Sequence, residues 1–68
     1  MAEHILPAAA MEKLLKKVGA PRVSQSAKEA LREVLENYGE LVGDKAVKLA
    51  AHSGRKTVKA EDVKLAVK

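Results

Sequence analysis

Residues 24–52 read SQSAKEALREVLENYGELVGDKAVKLAAH. Apolar side chains recur three and four residues apart along this stretch, which contains no proline, and this pattern predicts one continuous amphipathic helix. The apolar positions are Ala27, Ala30, Leu31, Val34, Leu35, Tyr38, Leu41, Val42, Ala46, Val47, Leu49 and Ala50. A helix of about 29 residues is about 43 Å long, because each residue adds ~1.5 Å.

This helix is longer than the globule that the chain can form alone. A compact chain of 68 residues has a radius of gyration of about 11 Å, which corresponds to a globule about 28 Å across. The helix ends therefore need a surface from elsewhere, and a second copy of the chain is the simplest source. Tyr38 is the only aromatic residue, so a monomer would also bury little apolar area. We expect an obligate dimer.

The residues before the long helix predict a short first helix. Pro7 suits the first turn of a helix, where its missing N–H has no partner to lose. Residues 8–18 place apolar side chains on one face, and Gly19 ends the helix. Residues 1–6 form an arm that we expect to be flexible.

The long helix has two candidate starting points and two internal glycines. Ser24 is the expected N-cap, although Ser26 with Glu29 also fits a capping box, so the start is open by two residues. Gly39 and Gly43 each lower helix propensity by roughly 1 kcal/mol relative to alanine. They weaken the helix or mark close packing against another helix.

A third helix is predicted at the C-terminal end. Ser53 and Gly54 end the long helix, and a short extended run follows. Glu61 and Asp62 then place negative charge where the first turn of a helix favours it, and this helix reaches Lys68. The chain is therefore predicted to be a single all-α domain over residues 1–68, with a short, a long and a short helix.

The composition limits the classes of function. Thirteen lysines and arginines against nine acids give a net charge of +4, so a dimer carries about +8 (twice +4). The absence of cysteine excludes a disulfide framework and thiolate metal sites. No apolar run approaches the ~20 residues of a membrane span, and the N-terminus lacks the pattern of a signal peptide. We expect a cytoplasmic protein that does not bind membranes.

Basic residues cluster at both ends of the long helix, and acidic residues lie in its middle. The first cluster holds Lys13, Lys16, Lys17, Arg22 and Lys28, and the second holds Lys45, Lys48, Arg55, Lys56 and Lys59. Neither sequence interval contains an acid. The helix centre carries Glu29, Glu33, Glu36, Glu40 and Asp44 against Arg32 alone.

These clusters have two interpretations. Lysines are usually solvated, and we assign Lys45 and Lys48 to a solvated face. Each cluster also contains a loop beside a helix terminus, where free backbone N–H groups and the helix dipole favour a phosphate. A chain with one aromatic residue has no platform on which single-stranded bases could stack, which favours duplex DNA.

Two loop sequences carry a family resemblance. Residues 52–63, HSGRKTVKAEDV, resemble the second loop and third helix of an archaeal histone, and residues 19–24, GAPRVS, resemble its first loop. Pro7 and the three-helix plan are also similar, so the resemblance covers the chain from about residue 6 to residue 68. It implies the histone fold, in which two chains pair head to tail in a handshake dimer that binds double-stranded DNA.

The resemblance also implies roles for single residues. Arg22 would enter the minor groove beside Lys56 and Thr57 of the partner subunit. The implied DNA-binding set is Lys13, Lys16, Arg22, Ser24, Lys56, Thr57 and Lys59. Arg55 would pair with Asp62 and hold the second loop in shape. Dimers would join end to end through a contact that consists of Leu49, His52, Asp62 and Leu65.

Some positions depart from the family pattern. Lys13 stands where arginine is usual, which keeps the charge but loses the planar fork that binds phosphate in two places. Ala51 replaces a frequent basic residue and Lys17 a frequent acidic one, so a pair between stacked turns of a protein–DNA superhelix is absent. Glu33 and Lys64 could form that pair with exchanged charges. Stacking of a long superhelix is left open, while the dimer and its DNA contacts are expected.

Other chemistries are disfavoured. His52 has no second metal ligand at a suitable spacing, so we expect no metal and no cofactor. Ser24, His52 and Asp62 are residue types found in hydrolases, but without a nucleophile elbow or a pocket they predict neither catalysis nor a small-molecule substrate.

The leading hypothesis is an architectural, chromosome-associated protein that wraps duplex DNA as a homodimer and as larger oligomers, with weak sequence preference. A paralogous histone is a further possible partner. The alternative is a histone-fold module that pairs with a different chain in a transcription or repair complex. A membrane-surface helix is disfavoured by Gly39, Gly43 and the acidic helix centre.

Overall fold

A computed structural model describes residues 4–68. It contains three helices, α1 over Ala8–Lys17, α2 over Gln25–His52 and α3 over Ala60–Ala66, and residues 4–68 include no strand. The all-α prediction with a short, a long and a short helix is confirmed. In the described part of the chain, no helix is both long enough and apolar enough to cross a bilayer.

Helix α1 begins and ends through backbone geometry. Pro7 precedes it in an extended conformation, and its carbonyl accepts a hydrogen bond from the Ala10 N–H at 3.1 Å. At the other end, the Ala20 N–H donates to the Leu15 carbonyl and the Gly19 N–H to the Lys16 carbonyl. These two bonds form a Schellman motif, which requires a left-handed residue, and Gly19 has a φ of 115°.

Helix α2 starts at the first of its two candidate positions. The Ser24 hydroxyl oxygen accepts a hydrogen bond from the Ala27 N–H at 3.1 Å, which makes Ser24 the N-cap. The helix continues through Gly39 and Gly43 for 28 residues, or about 42 Å. A Cβ atom added at either glycine would meet nothing within 4 Å. Close packing at the two glycines therefore does not occur among the residues that the structure describes.

The end of α2 repeats the end of α1. The Arg55 N–H donates to the Ala50 carbonyl and the Gly54 N–H to the Ala51 carbonyl, both at 2.9 Å. Gly54 supplies the left-handed residue with a φ of 74°. The same backbone motif thus ends both of the helices that lead into a loop.

The chain forms two compact units, an N-terminal unit that extends to Asn37 and a C-terminal unit over Tyr38–Lys68. Among the described residues, the buried apolar side chains are Met11 in the N-terminal unit and Ala46, Ala50 and Ala66 in the C-terminal unit. Alanine buries little area per residue. In the described chain, large apolar side chains remain exposed at Ile5, Leu14, Val18, Val34, Tyr38, Leu41, Val47, Val58, Val63, Leu65 and Val67.

Candidate nucleic-acid interface

The second loop, residues 53–59, is organised around one arginine. The Arg55 guanidinium donates to both carboxylate oxygens of Asp62, at 2.9 and 3.0 Å, and to the Thr57 carbonyl at 2.9 Å. Arg55 and Asp62 are the two residues that the family resemblance pairs. A two-pronged contact of this kind holds both groups in one geometry. The loop is therefore held to the start of α3 by its own side chain.

Asp62 also caps α3. Its carboxylate accepts a hydrogen bond from the Lys59 backbone N–H at 2.8 Å, and the residue is only 3% exposed. The hydrogen bond from Arg55, followed by that from Lys59, lowers the pKa of Asp62, and the same Asp62 bond raises the pKa of Arg55. Asp62 is therefore ionised near neutral pH, and one carboxylate orders both the loop and the helix start.

The two lysine side chains of the second loop, unlike that of Arg55, do not hold the loop in shape. Lys56, Thr57 and Lys59 are exposed. Within residues 4–68, neither lysine forms an ion pair. The loop thus divides its cations into Arg55, which holds the loop in shape, and two lysines that remain available to a phosphate.

The first loop, residues 18–24, presents one free arginine. Arg22 is exposed and forms no ion pair within the described chain. Ser24 follows it as the N-cap of α2, and its hydroxyl lies 3.2 Å from that of Ser26. The first turn of any helix leaves backbone N–H groups without helical partners, and these favour an anion. Arg22 and the start of α2 therefore offer side-chain and backbone donors in adjacent positions.

Two lysines of the first basic cluster lie near an acidic side chain, although the sequence interval between Lys13 and Lys28 contains no acid. Lys16 Nζ lies 3.4 Å from Glu12 and Lys28 Nζ lies 3.7 Å from the same carboxylate. Lys13 is exposed and has no such pair in the described residues. A surface pair contributes about 0–1 kcal/mol, so a phosphate can compete with Glu12 for Lys16.

A second carboxylate contact was not expected from the sequence. Glu36 accepts hydrogen bonds from the backbone N–H groups of Ile5 and Leu6, each at 2.7 Å, and its other oxygen lies 3.1 Å from His4 Nδ1. The bond from Leu6 is the main cause of a lowered pKa at Glu36. A separation of 30 to 32 residues leaves no local sequence signal for this contact.

The contact bears on the arm predicted over residues 1–6. Its last three residues are held on α2 by Glu36, and residues 1–3 lie outside the described residues. The predicted flexibility concerns motion and stays a prediction.

The C-terminal unit carries an open groove, which we call the end groove. It is lined by the apolar residues Leu49, Leu65 and Ala66, which we call its floor, and by the polar residues Lys45, Lys48 and His52, which we call its rim, and its volume is about 440 Å³. Three of the four residues expected at the dimer–dimer contact line this groove. The fourth, Asp62, is buried in the same unit beside Arg55.

The single chain divides the expected DNA-binding residues between its two units. Lys13, Lys16, Arg22 and Ser24 belong to the N-terminal unit, and Lys56, Thr57 and Lys59 belong to the C-terminal unit. The juxtaposition of Arg22 with Lys56 and Thr57 is a property of the expected dimer and stays a prediction. Among residues 4–68, no cluster of three histidine or acidic side chains is arranged to hold a metal ion.

Comparison with known proteins identifies the family of this chain. The family model described as histone-like transcription factor (CBF/NF-Y) and archaeal histone matches residues 4–67. One of the subunits of archaeal histone HAN1 from Thermococcus zilligii is 59% identical over 63 residues, which are 93% of this chain and 94% of that protein. The probable archaeal histone 3 of Methanocaldococcus jannaschii is 48% identical, with the same coverage. The chain therefore belongs to the histone-like transcription factor and archaeal histone family, has its all-α histone fold, and is a DNA-binding structural protein and not an enzyme.

Proposed function

We propose that two copies of this chain form a head-to-tail dimer that bends and wraps double-stranded DNA. The dimers then join into tetramers or larger nucleosome-like particles on the chromosome, in the nucleoid of the cytoplasm. The observation that carries the proposal is the presence on both loops of exposed cations that form no ion pair within residues 4–68, Arg22 on the first and Lys56 and Lys59 on the second. Arg55, by contrast, is occupied by Asp62 of α3.

The dimer is supported by the apolar surface that the single chain leaves uncovered. Val34, Tyr38, Leu41 and Val47 of α2 are all more than half exposed. A soluble monomer rarely presents so many large apolar side chains along one helix. Covering them with a second copy of the chain removes this surface from water, and each fully buried side chain contributes about 1.5–3 kcal/mol.

DNA binding is supported by the chemistry of the loops. Lysines and the N–H groups of a helix start bind phosphates without regard to sequence. An arginine inserted in the minor groove favours DNA that deforms easily. Lys13 and Lys16 on α1 extend the phosphate-binding surface between the loops, and Ser24 and Thr57 add hydroxyl donors.

End-to-end assembly is supported by the end groove and by Asp62. Leu49 and Leu65 supply an apolar floor that a second dimer would cover. Among residues 4–68, Asp62 Oδ1 accepts a hydrogen bond from Arg55 alone, and a carboxylate oxygen has capacity for a second bond. We propose that His52 of the neighbouring dimer donates to it.

The test is a titration of duplex DNA at several salt concentrations. If ~6 phosphates are neutralised per dimer, log K falls with log salt at a slope of about −5. Arg22→Ala should weaken binding strongly, whereas Lys64→Ala, which removes the same charge from an exposed position on α3, should change it little. A slope near zero, or equal affinities for the two variants, would contradict the proposal.

A second candidate is a histone-fold module that pairs with a different chain in a transcription or repair complex. Two findings favour it. The relative from Thermococcus zilligii is named as a subunit of HAN1, and the matching family includes transcription factors. The free cations on both loops favour the DNA-wrapping homodimer instead. Sedimentation of the purified chain separates the two, because an unpaired or molten chain would support the heteromeric module.

A further inference from the structure

The end groove combines an apolar floor with a cationic rim. Leu49, Leu65 and Ala66 form the floor, and Leu65 is 55% exposed. Lys45 and Lys48 stand on the rim, and no carboxylate of the described residues lines the groove. Lys48 Nζ lies 3.0 Å from Asp44, which is itself 64% exposed, whereas Lys45 forms no ion pair in the described chain. The groove therefore attracts apolar surface and carries uncompensated positive charge.

This combination is poorly matched to a second copy of itself. A contact between two identical faces is symmetric, so the groove of one copy meets the same groove of the other copy. Two Lys45 and two Lys48 side chains would then converge around one apolar centre. Like charges at the rim of a contact oppose association most strongly at low salt, where they are least screened.

We propose that the end groove selects an acidic counterpart: the corresponding face of a different histone-fold dimer that bears carboxylates opposite Lys45 and Lys48. The apolar floor fits a protein partner better than a phosphate backbone, and the cationic rim fits carboxylates. The inference rests on the proposed function, because it assumes that dimers form and meet end to end. It adds that two identical dimers join weakly through this groove, whereas a dimer with an acidic face joins more tightly.

The experiment uses an acidic version of the same chain as the probe. The Lys45→Glu/Lys48→Glu variant and the wild-type protein are sedimented separately and as an equal mixture, at about 50 mM and about 500 mM salt, where the Debye length falls well below ~10 Å. At low salt the mixture should form tetramers about tenfold more tightly than wild type alone. At high salt this advantage should disappear, and wild-type self-association should strengthen.

A matched control changes the same charge away from the groove. The Lys17→Glu/Lys64→Glu variant should give no gain when mixed with wild type. A low-salt mixture that associates no more tightly than wild type alone would overturn the inference. Persistence of dimers with salt-dependent DNA binding in that case would leave the proposed function intact, whereas loss of the wild-type dimer would contradict the proposed function itself.

Neutral variants give an independent measurement if the double glutamate variant does not fold. Lys45→Gln should strengthen self-association at low salt, because it removes the unpaired ammonium, and circular dichroism reports whether the helices remain. DNA is the competing occupant. If Lys45→Gln/Lys48→Gln lowers duplex affinity more than Lys17→Gln/Lys64→Gln does, the two lysines bind phosphate and the inference is wrong.

Discussion

The two loops begin alike and are held in place differently. Both follow a Schellman motif with a left-handed glycine, Gly19 in the first loop and Gly54 in the second. The second loop is then fixed by Arg55, which binds Asp62 and the Thr57 carbonyl. Among residues 4–68, the side-chain hydrogen bonds of the first loop are those of Ser24 at its end, and its arginine forms no ion pair there. One loop thus uses its arginine for its own structure, and the other keeps its arginine available to DNA.

The largest expected effect comes from removing the internal anchor of the second loop. Asp62→Asn leaves the Arg55 guanidinium without its carboxylate and should lower the melting temperature by about 10 °C. Glu61→Gln is the matched control, because Glu61 is exposed and lies 4.0 Å from Arg55, and it should have little effect. Thermal unfolding is measured at one protein concentration, since dimer stability depends on concentration. Equal melting temperatures would show that the second loop needs no such anchor.

Substitution of Gly19 or Gly54 by alanine tests the Schellman motif that ends both α1 and α2. Gly54 has a φ of 74°, near the centre of the left-handed helical region. Gly54→Ala should therefore destabilise the protein by about 1 kcal/mol. Gly19 has a φ of 115°, which lies further from any conformation that alanine adopts, and Gly19→Ala should cost about 2 kcal/mol. A Cβ at either position meets nothing within 4 Å, so the cost is conformational. Urea unfolding gives the order, and the reverse order would contradict this explanation.

A third prediction concerns how the stability contributed by Asp62 and by Glu36, which holds residues 4–6, depends on pH. Both pKa values are lowered in the folded chain. The stability they contribute is therefore complete above their ordinary pKa values of about 4 and is lost as the pH falls through the lowered values. Glu36→Gln should flatten the acid side of the stability profile, whereas Glu33→Gln, on the same helix, should leave it unchanged. Parallel profiles for Glu36→Gln and wild type would contradict the assigned role.

The smallest expected effect concerns Glu12, which lies beside two lysines of the first basic cluster. Glu12→Gln releases Lys16 and Lys28 and should tighten duplex binding about twofold at low salt, in line with the small energy of an exposed pair. Fluorescence anisotropy with labelled duplex measures the change, and Glu40→Gln is the control. Weaker binding by Glu12→Gln would mean that Glu12 positions these lysines and does not compete for them.

The bounds of α1 and α2 could be predicted because their causes are local, whereas the prediction that the third helix reaches Lys68 is wrong, since α3 ends at Ala66. Gly19 and Gly54 end helices through hydrogen bonds that span five residues, and Ser24 caps one across three. The family resemblance of the two loops also rests on short stretches of sequence, residues 19–24 and 52–63. The alternative cap at Ser26 could not be excluded beforehand, because both serines satisfy the same local rule.

Sequence alone thus determined the three helices, their order, the basic clusters and the family, since each follows from residues a few positions apart. Only the tertiary structure decided that Glu36 holds residues 4–6, that Glu12 lies near Lys28, and that Lys45 and Lys48 rim an apolar groove. The first two contacts join residues 16 to 32 positions apart, and the groove combines side chains of α2 and α3. They depend on the path of the folded chain, which no short-range pattern specifies.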